Sequence, residues 1–222
     1  MLISVFAGFL AGAVHVVGGV DHIVAMAPNA FKSPKLALRD GLAWGLGHST
    51  GILFLLGLAI LLKDLVHIQR MSSFAEFSVG VVLLVGGTVA IKTSFGLKIH
   101  THLHNHGEGH NHQHFHLHFR GAKKHAQHSH ASTSLGVLHG LAGASHLFAV
   151  IPALALPPIG AVAYMAAYLL GSIVAMGAML LAMSLATLKA GRKALPGLIG
   201  FTGGLSIITG FFWVHKTSSY IL

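Results

Sequence analysis

Long apolar segments alternate with short polar ones along the chain, in a pattern that is typical of membrane-spanning helices. Six segments are apolar enough and hold about 20 or more residues, the length that a helix needs to cross a hydrocarbon layer about 30 Å thick. They lie at residues 2–28, 41–62, 74–96, 133–156, 159–187 and 196–215. The pattern therefore predicts an all-α integral membrane protein with six transmembrane helices.

The amino-acid composition supports this class of protein. Hydrophobic residues make up 54% of the chain and charged residues 9%, whereas about 25% of residues are charged in soluble domains. The first apolar segment begins with no basic region and carries no small-residue cleavage pattern, so we expect it to be retained. Cysteine is absent from the sequence, which excludes disulfides, thiolate metal sites and thiol nucleophiles.

Basic residues lie mainly on one side of the predicted six-helix layout. The richer side holds Lys32, Lys35, Arg39, Lys92, Lys98, Arg120, Lys123, Lys124, Lys189, Arg192 and Lys193. The other side holds Lys63, Arg70 and Lys216. Because cytoplasmic loops carry the excess of Lys and Arg, we expect both termini outside a cell (inner) membrane. This orientation explains the basic excess without nucleic acid as a partner.

The sequence repeats itself at an offset of 124 residues. The segment "AGAVHVVGGVDHIVAMAP" (11–28) aligns without gaps with "LGVLHGLAGASHLFAVIP" (135–152). The aligned pairs include Gly12 with Gly136, His15 with His139, His22 with His146 and Trp44 with Tyr168. Residues 1–98 and 125–222 are therefore predicted to be two three-helix repeats, joined by a cytoplasmic loop at 99–124. An odd number of spans inverts the second repeat, as is usual in secondary transporters with a midplane substrate site.

Ionisable side chains inside membrane spans are costly and usually mark ion or substrate paths, and six of those inside the predicted spans are the candidate ligands. They are His15, Asp21, His22, His48, His139 and His146. For His48, beside Ser49 and Thr50, a structural hydrogen-bonded role is an equal alternative. Imidazole and carboxylate ligands without cysteine suit Ni²⁺, Co²⁺ or Zn²⁺. The residues thus predict a midplane metal site between helices one and four.

Glycines separate the two histidines of the first helix. On a regular helix His15 and His22 would lie about 10 Å apart along the axis, too far for one ion to bridge. Gly18 and Gly19 permit a local break that brings the two turns together. Three other glycine pairs are better explained as close-packing positions between helices. These pairs are Gly136 with Gly140, Gly47 with Gly51, and Gly200 with Gly204.

Histidines dominate residues 100–118, and the His-rich character extends to about residue 130. The histidines of the main tract are His100, His102, His104, His106, His110, His112, His114, His116 and His118. Imidazoles in near-alternation can form many interchangeable metal sites. The alternative is a solvated, disordered loop with no role in metal binding. We predict that the loop binds transition metals.

The motifs of the membrane part resemble a known family. "HVVGGVDHI" (15–23) resembles the first-helix signature of the NicO nickel/cobalt transporter superfamily, and its five-residue spacer is similar to the UreH-type branch. "GLAWGLGHSTG" (41–51) and "GLAGASHLFAVIPAL" (140–154) resemble the same branch. The resemblance implies a nickel or cobalt permease. The ligands that it implies are His15, Asp21 and His22, with His48, His139 and His146 as contributors.

We favour uptake by this permease, with efflux by the same architecture as the alternative. A second alternative is a membrane protein that holds haem between paired histidines. An intramembrane metalloenzyme is disfavoured because H-E-x-x-H is absent and Glu76 and Glu108 lie outside the histidine cluster, so the chain is predicted not to be an enzyme. The expected ligands are Ni²⁺ or Co²⁺ as transported ion, with Zn²⁺ as a further candidate. A cytoplasmic metal chaperone is a candidate partner.

Overall fold

The computed structural model describes residues 1–62, 65–96, 130–142, 151–191 and 193–221, and every regular element within them is helical. A short 3-10 helix (Ala27–Phe31) connects the second α-helix to the third. The α-helices are α1 (Leu2–Gly18), α2 (Val20–Met26), α3 (Pro34–Leu62), α4 (Leu65–Gly96), α5 (His130–Leu141), α6 (Ile151–Leu154), α7 (Pro158–Ala190) and α8 (Leu195–Ile221). The predicted all-helical class is confirmed for these residues.

Four of the helices are long and apolar enough to cross a membrane: α3, α4, α7 and α8. A fifth span is obtained when α1 is counted together with α2 and the 3-10 helix, which follow it after a sharp bend. The remaining predicted span, 133–156, includes residues outside the described part of the chain. The described helices therefore provide four to five candidate spans.

Two helices begin earlier than the apolar pattern predicts. α3 begins at Pro34 rather than at residue 41, and α4 begins at Leu65 rather than at residue 74. Their first turns carry polar residues, which a search for apolar runs leaves out although the helix is continuous through them. Proline suits the first position of α3 because its backbone dihedral is already helical and no amide donor is needed there.

The outward surface of the helices is apolar, and several polar side chains face inward. On α8, Phe201, Ile208 and Phe212 are exposed, whereas Ser206 and Thr217 are buried. A large exposed apolar surface is unfavourable in water, but it suits contact with lipid. Together with the length of the helices, this distribution identifies a multi-pass membrane protein.

The first helix of each predicted repeat packs on a helix of the other repeat. α1 packs on α7 and α5 packs on α3, while α4 packs on α8. Small residues permit close backbone contact: a Cβ atom at Gly12 would strike the carbonyl oxygen of Tyr168, and one at Gly136 would strike that of Trp44. The two contacts are related by the 124-residue offset.

Two of the three predicted glycine packing pairs are confirmed. The pairs on α3 and α5 face each other's helix, since a Cβ at Gly51 would lie 2.9 Å from the Cα of Gly140. On α8 the prediction is confirmed for Gly200, where a Cβ would lie 3.1 Å from the Ser94 Oγ of α4, and is wrong for Gly204, where a Cβ meets no described atom within 4 Å. α8 instead meets α4 at Gly203, where a Cβ would lie 2.9 Å from the carbonyl oxygen of Gly87. One position along a helix is a rotation of about 100°, so Gly204 points away from α4.

A buried ion pair holds the turn between the 3-10 helix and α3. The Lys32 Nζ lies 2.5 Å from Asp40 Oδ2, and the Arg39 Nη2 lies 3.2 Å from the other carboxylate oxygen. Ser184 on α7 donates a hydrogen bond of 2.7 Å to the Lys32 carbonyl oxygen. These contacts compensate the buried carboxylate. They also tie the end of the first, bent segment to α3 and α7.

Candidate metal centre

The first span is broken between its two histidines, as the glycines predict. α1 ends at Gly18 and α2 begins at Val20. The segment Val20–Phe31 is bent by 67° relative to α1. Gly19 lies between the two helices, and a Cβ atom there would strike the Nδ1 of His22. The break brings the ring centroids of His15 and His22 to 4.9 Å. A single ion can therefore contact both turns.

Four histidines and one aspartate meet beside this break, and we call them the metal cluster. Its members are His15, Asp21, His22, His48 and His139. They come from α1, α2, α3 and α5. The side chains of His22, His48 and His139 are almost fully buried. Five of the six candidate ligands within the predicted spans are thus brought together, and the sixth, His146, lies outside the described residues.

The metal cluster contains two overlapping sets of three ligands that share His22. One set is His15, His22 and His48, and the other is Asp21, His22 and His139. Within each set, one ligand atom from each residue lies within 4.8 Å of the others. Nitrogen and oxygen ligands lie about 2.1 Å from a zinc-sized ion, so ligands of one ion are about 3.4 Å apart. Small side-chain rotations are enough to close either set around an ion.

Asp21 connects the histidines of the two predicted repeats. Its Oδ1 lies 3.3 Å from His22 Nδ1, and its Oδ2 lies 3.0 Å from His139 Nε2. On the far side of each ring, the buried His22 Nε2 and His139 Nδ1 have no hydrogen-bond partner among the described residues. Buried polar atoms are usually hydrogen-bonded. Imidazole nitrogens in this position are well suited to hold a cation.

The structure places His48 in the metal cluster rather than on its neighbouring hydroxyls. The hydroxyls of Ser49 and Thr50 both donate to backbone carbonyl oxygens. The His48 ring is stacked on His15 at a centroid distance of 5.7 Å and makes an edge contact with His22 at 5.0 Å. This geometry favours the ligand interpretation of His48 over the structural one.

Two buried aromatic side chains, to which the sequence analysis gave no role, flank the metal cluster. The Trp44 ring lies 6.3 Å from that of His139, and the Tyr168 ring lies 6.0 Å from that of His15. The repeat alignment contains the signal that could have found them, because it pairs Trp44 with Tyr168 just as it pairs the two histidines. A third aromatic ring, Trp213, stacks on His139 at 5.9 Å.

Two cavities approach the metal cluster from opposite directions along α4 and α8. The first, which we call the vestibule, has a volume of 340 Å³. The vestibule is lined by Val14, His15, Gly18, Gly19, Asp21, His22, Glu76, Ala142, Trp213 and Lys216. The second cavity has a volume of 170 Å³ and is lined by His139 and by apolar residues such as Val79 and Leu83. Members of the metal cluster line both cavities, and the two cavities share no lining residue.

Glu76 lies outside both ligand sets, as predicted, but it lines the same cavity as three members of the metal cluster. Its carboxylate is 5% exposed and lies 3.1 Å from the Nζ of Lys216. The sequence analysis gave no role to either residue. The signal was present, because a carboxylate inside a predicted span is itself a functional hypothesis.

The remaining predicted ligands and boundaries fall on another part of the chain. The nine histidines between His100 and His118, and the loop at 99–124, lie outside the described residues. The described metal cluster is built from helices alone.

The chain is similar over most of its length to two plant proteins. It is 32% identical over 178 residues to the Chloroplast protein FOR GROWTH AND FERTILITY 1 of Arabidopsis thaliana, which is 79% of this chain and 48% of the relative. It is 32% identical over 179 residues to the Chloroplast protein FOR GROWTH AND FERTILITY 2 of the same plant, which is 80% of this chain and 46% of the relative. The chain thus spans about half the length of these curated relatives.

A further similarity agrees with the motif resemblance. The chain is 28% identical over 140 residues to the Urease accessory protein UreH of Bacillus sp. (strain TB-90), which is 62% of this chain and 57% of that protein. No family model and no solved structure matches the chain. The resemblance to the UreH-type branch is therefore supported over part of the chain.

Proposed function

We propose that this chain is a membrane permease for divalent transition-metal ions, and that Ni²⁺ or Co²⁺ is its substrate. The observation that carries the proposal is the pair of ligand sets sharing His22 at a broken membrane helix, with members of these sets lining two separate cavities. Imidazole and carboxylate donors suit these ions and also Zn²⁺. The motif resemblance to a nickel/cobalt transporter superfamily is the reason to favour Ni²⁺ or Co²⁺ among these ions.

We propose six spans arranged as two inverted repeats. The bent first span would have its counterpart in α5 and the residues that follow it, through about residue 156. Support comes from the exchanged packing of α1 on α7 and of α5 on α3, with equivalent glycine contacts at Gly12 and Gly136. In this arrangement, each half contributes a first-helix histidine, His15 or His139, to one shared site near the midplane.

In the proposed mechanism, an ion enters one cavity, exchanges its water for ligands of the metal cluster and leaves through the other cavity. His22 belongs to both ligand sets, so it can remain bound while the other ligands exchange. Asp21 is the only carboxylate in either set. A divalent ion bound by one carboxylate keeps a net positive charge, which limits the affinity of the site and favours release of the ion. Rocking of one repeat against the other would alternate the access.

The proposed orientation places the vestibule outside the cell. The termini lie outside and the His-rich loop lies in the cytoplasm by the distribution of basic residues. Lys216, close to the end of α8, belongs to the outer side, and it lines the vestibule. A polar outer vestibule suits the capture of cations, so we favour uptake over efflux. The chain acts as a carrier rather than as an enzyme, and a cytoplasmic metal chaperone is a candidate acceptor.

Metal flux into proteoliposomes of known protein orientation tests this function. Initial rates are compared for Ni²⁺, Co²⁺, Zn²⁺ and Mn²⁺ with a metal-sensitive dye inside, and protein-free liposomes provide the background. We expect saturable flux of Ni²⁺ or Co²⁺ that is lost in His22→Ala. Flux no greater than the background for all four ions, from a folded protein, would refute the permease.

A further inference from the structure

The vestibule contains an ion pair that belongs to neither ligand set. The Glu76 carboxylate on α4 is almost fully buried, whereas the Lys216 side chain on α8 is 54% exposed. Their charged atoms lie 3.1 Å apart. The Lys216 Nζ also lies 5.9 Å from the ring centroid of Trp213, and the Trp213 ring stacks on that of His139. Glu76 is therefore enclosed by the protein, whereas more than half of the Lys216 side chain is not.

The ion pair is not needed to hold α4 and α8 together. These helices already meet at close backbone contacts, since a Cβ at Gly87 would lie 2.6 Å from the carbonyl oxygen of Gly203. A Cβ at Gly210 would lie 2.7 Å from the carbonyl oxygen of Gly80. An ion pair with one exposed partner contributes little net stability by itself, because the attraction is screened and an ordered side chain loses entropy. A role in the cavity is a better account of the pair than a role in packing.

The charges that line the vestibule have a particular balance. Asp21 and Glu76 contribute two carboxylates, and Lys216 contributes one ammonium group. Lys216 thus neutralises Glu76, the second carboxylate beside the metal cluster, which would otherwise attract a divalent ion. A cation that displaces the ammonium would leave it close to the face of Trp213, where a cation–π contact can hold it.

We infer that Glu76 is an additional cation-binding carboxylate in the vestibule and that Lys216 is a tethered cation that competes with the incoming metal ion for it. Glu76 captures the ion before it reaches the metal cluster. The return of Lys216 to Glu76 prevents the ion from being held by two carboxylates at once. The effect on flux depends on the proposed permease function, whereas the competition at Glu76 can be measured without transport.

Flux kinetics of charge variants of the full-length chain test the competition. In Lys216→Met the freed Glu76 should lower the apparent KM for Co²⁺ about tenfold, which corresponds to about 1.4 kcal/mol, and should lower the maximal rate by slowing release. Glu76→Gln should raise KM, and the double variant should return KM close to the wild-type value because the net charge of the vestibule is restored. The exposed Lys189→Met, which lies outside the vestibule, is the control that should leave KM unchanged.

Chemical labelling of Lys216 gives a readout that a purely structural pair would not change. Purified protein is acylated with and without Co²⁺, and the labelled lysines are measured by mass spectrometry. We expect Co²⁺ to increase labelling of Lys216 but not of Lys189. In Glu76→Gln, Lys216 should be fully labelled without metal. If the extent of Lys216 labelling is the same with and without Co²⁺, or if KM is unchanged in Lys216→Met, the inference is overturned. A wild-type protein without flux would instead refute the permease, and the labelling would still report on Glu76.

Discussion

At the scale of single residues, Asp21 combines two roles in the metal cluster. Its two oxygens contact a histidine of its own helix and a histidine of α5, so one carboxylate orients two rings. It also provides the negative charge of the ligand sets. Orientation and charge can be separated experimentally, because asparagine has nearly the same shape as aspartate and lacks the charge.

We expect Asp21→Asn to abolish transport while the protein remains folded. The amide can still accept a hydrogen bond from one histidine, but its neutral oxygen binds Ni²⁺ or Co²⁺ more weakly than a carboxylate does, because the attraction between opposite charges is lost. Proteoliposome flux measures the effect, and thermal unfolding in detergent shows whether the fold is intact. Transport at the wild-type rate would show that the ion does not use this carboxylate.

His15 and His139 test whether the two halves share one site. They belong to different ligand sets, and they align in the repeat. We therefore expect His15→Ala and His139→Ala both to weaken metal binding, each by removal of one donor from a three-ligand set. Calorimetric titration of both variants measures the affinity, with the exposed His215→Ala as a control. Unchanged affinity in His139→Ala would confine the site to the first half.

At the scale of elements, the broken first span determines the geometry of the site. The backbone dihedrals of Gly19 are extended and open to any residue (φ −83°, ψ 101°), so its requirement for glycine comes from space rather than from conformation. A Cβ there would meet the Nδ1 of His22 and would lie 3.0 Å from Asp21 Oδ1. Both atoms belong to side chains of the metal cluster.

A pair of adjacent glycine variants tests this role. Gly19→Ala should displace His22 and Asp21 and weaken metal affinity without unfolding the protein, because side chains can rotate away from the new methyl group. Gly18→Ala is the matched control, since a Cβ there meets no described atom within 4 Å. Titration of both variants measures the difference. Equal affinities would mean that the break does not position the ligands.

The elements also show what the sequence can and cannot predict. The break at Gly18 and Gly19 was predictable because one ion cannot bridge His15 and His22 on a regular helix and glycine permits a break between them. The grouping of His15 with His139 followed from the repeat. The rotation of each helix about its axis was not predictable, because it depends on packing against partners. Gly204 was therefore given a contact that Gly203 makes, and the position of Glu76 in the vestibule was missed.

At the scale of the whole molecule, the two predicted repeats are interlocked. Each first helix packs on a long helix of the other repeat, and the metal cluster lies where these exchanged helices cross. One ligand set lies within the first repeat, whereas the other joins Asp21 and His22 of the first repeat to His139 of the second. In the proposed permease, any rocking of the repeats changes distances within the cluster, which couples the binding of the ion to the movement that releases it.

The helical site and the His-rich loop should be separable in the whole molecule. Deleting residues 100–118 removes nine histidines, whereas the metal cluster holds five ligand residues, so we expect the deletion to remove most of the metal bound at saturation. Flux should survive, because the ligands in the helices form the path and a cytoplasmic loop cannot cross hydrocarbon.

Because tethered ligands act by raising the local concentration of the ion, the flux defect of the deletion should shrink as the supplied metal increases. His22→Ala should fail at every concentration, since it removes the ligand that both sets share. Initial rates over a metal series compare the two variants. A deletion that is inactive at all concentrations, next to a His22→Ala variant that still transports, would make the loop the essential binding element and would reduce the helix histidines to packing residues.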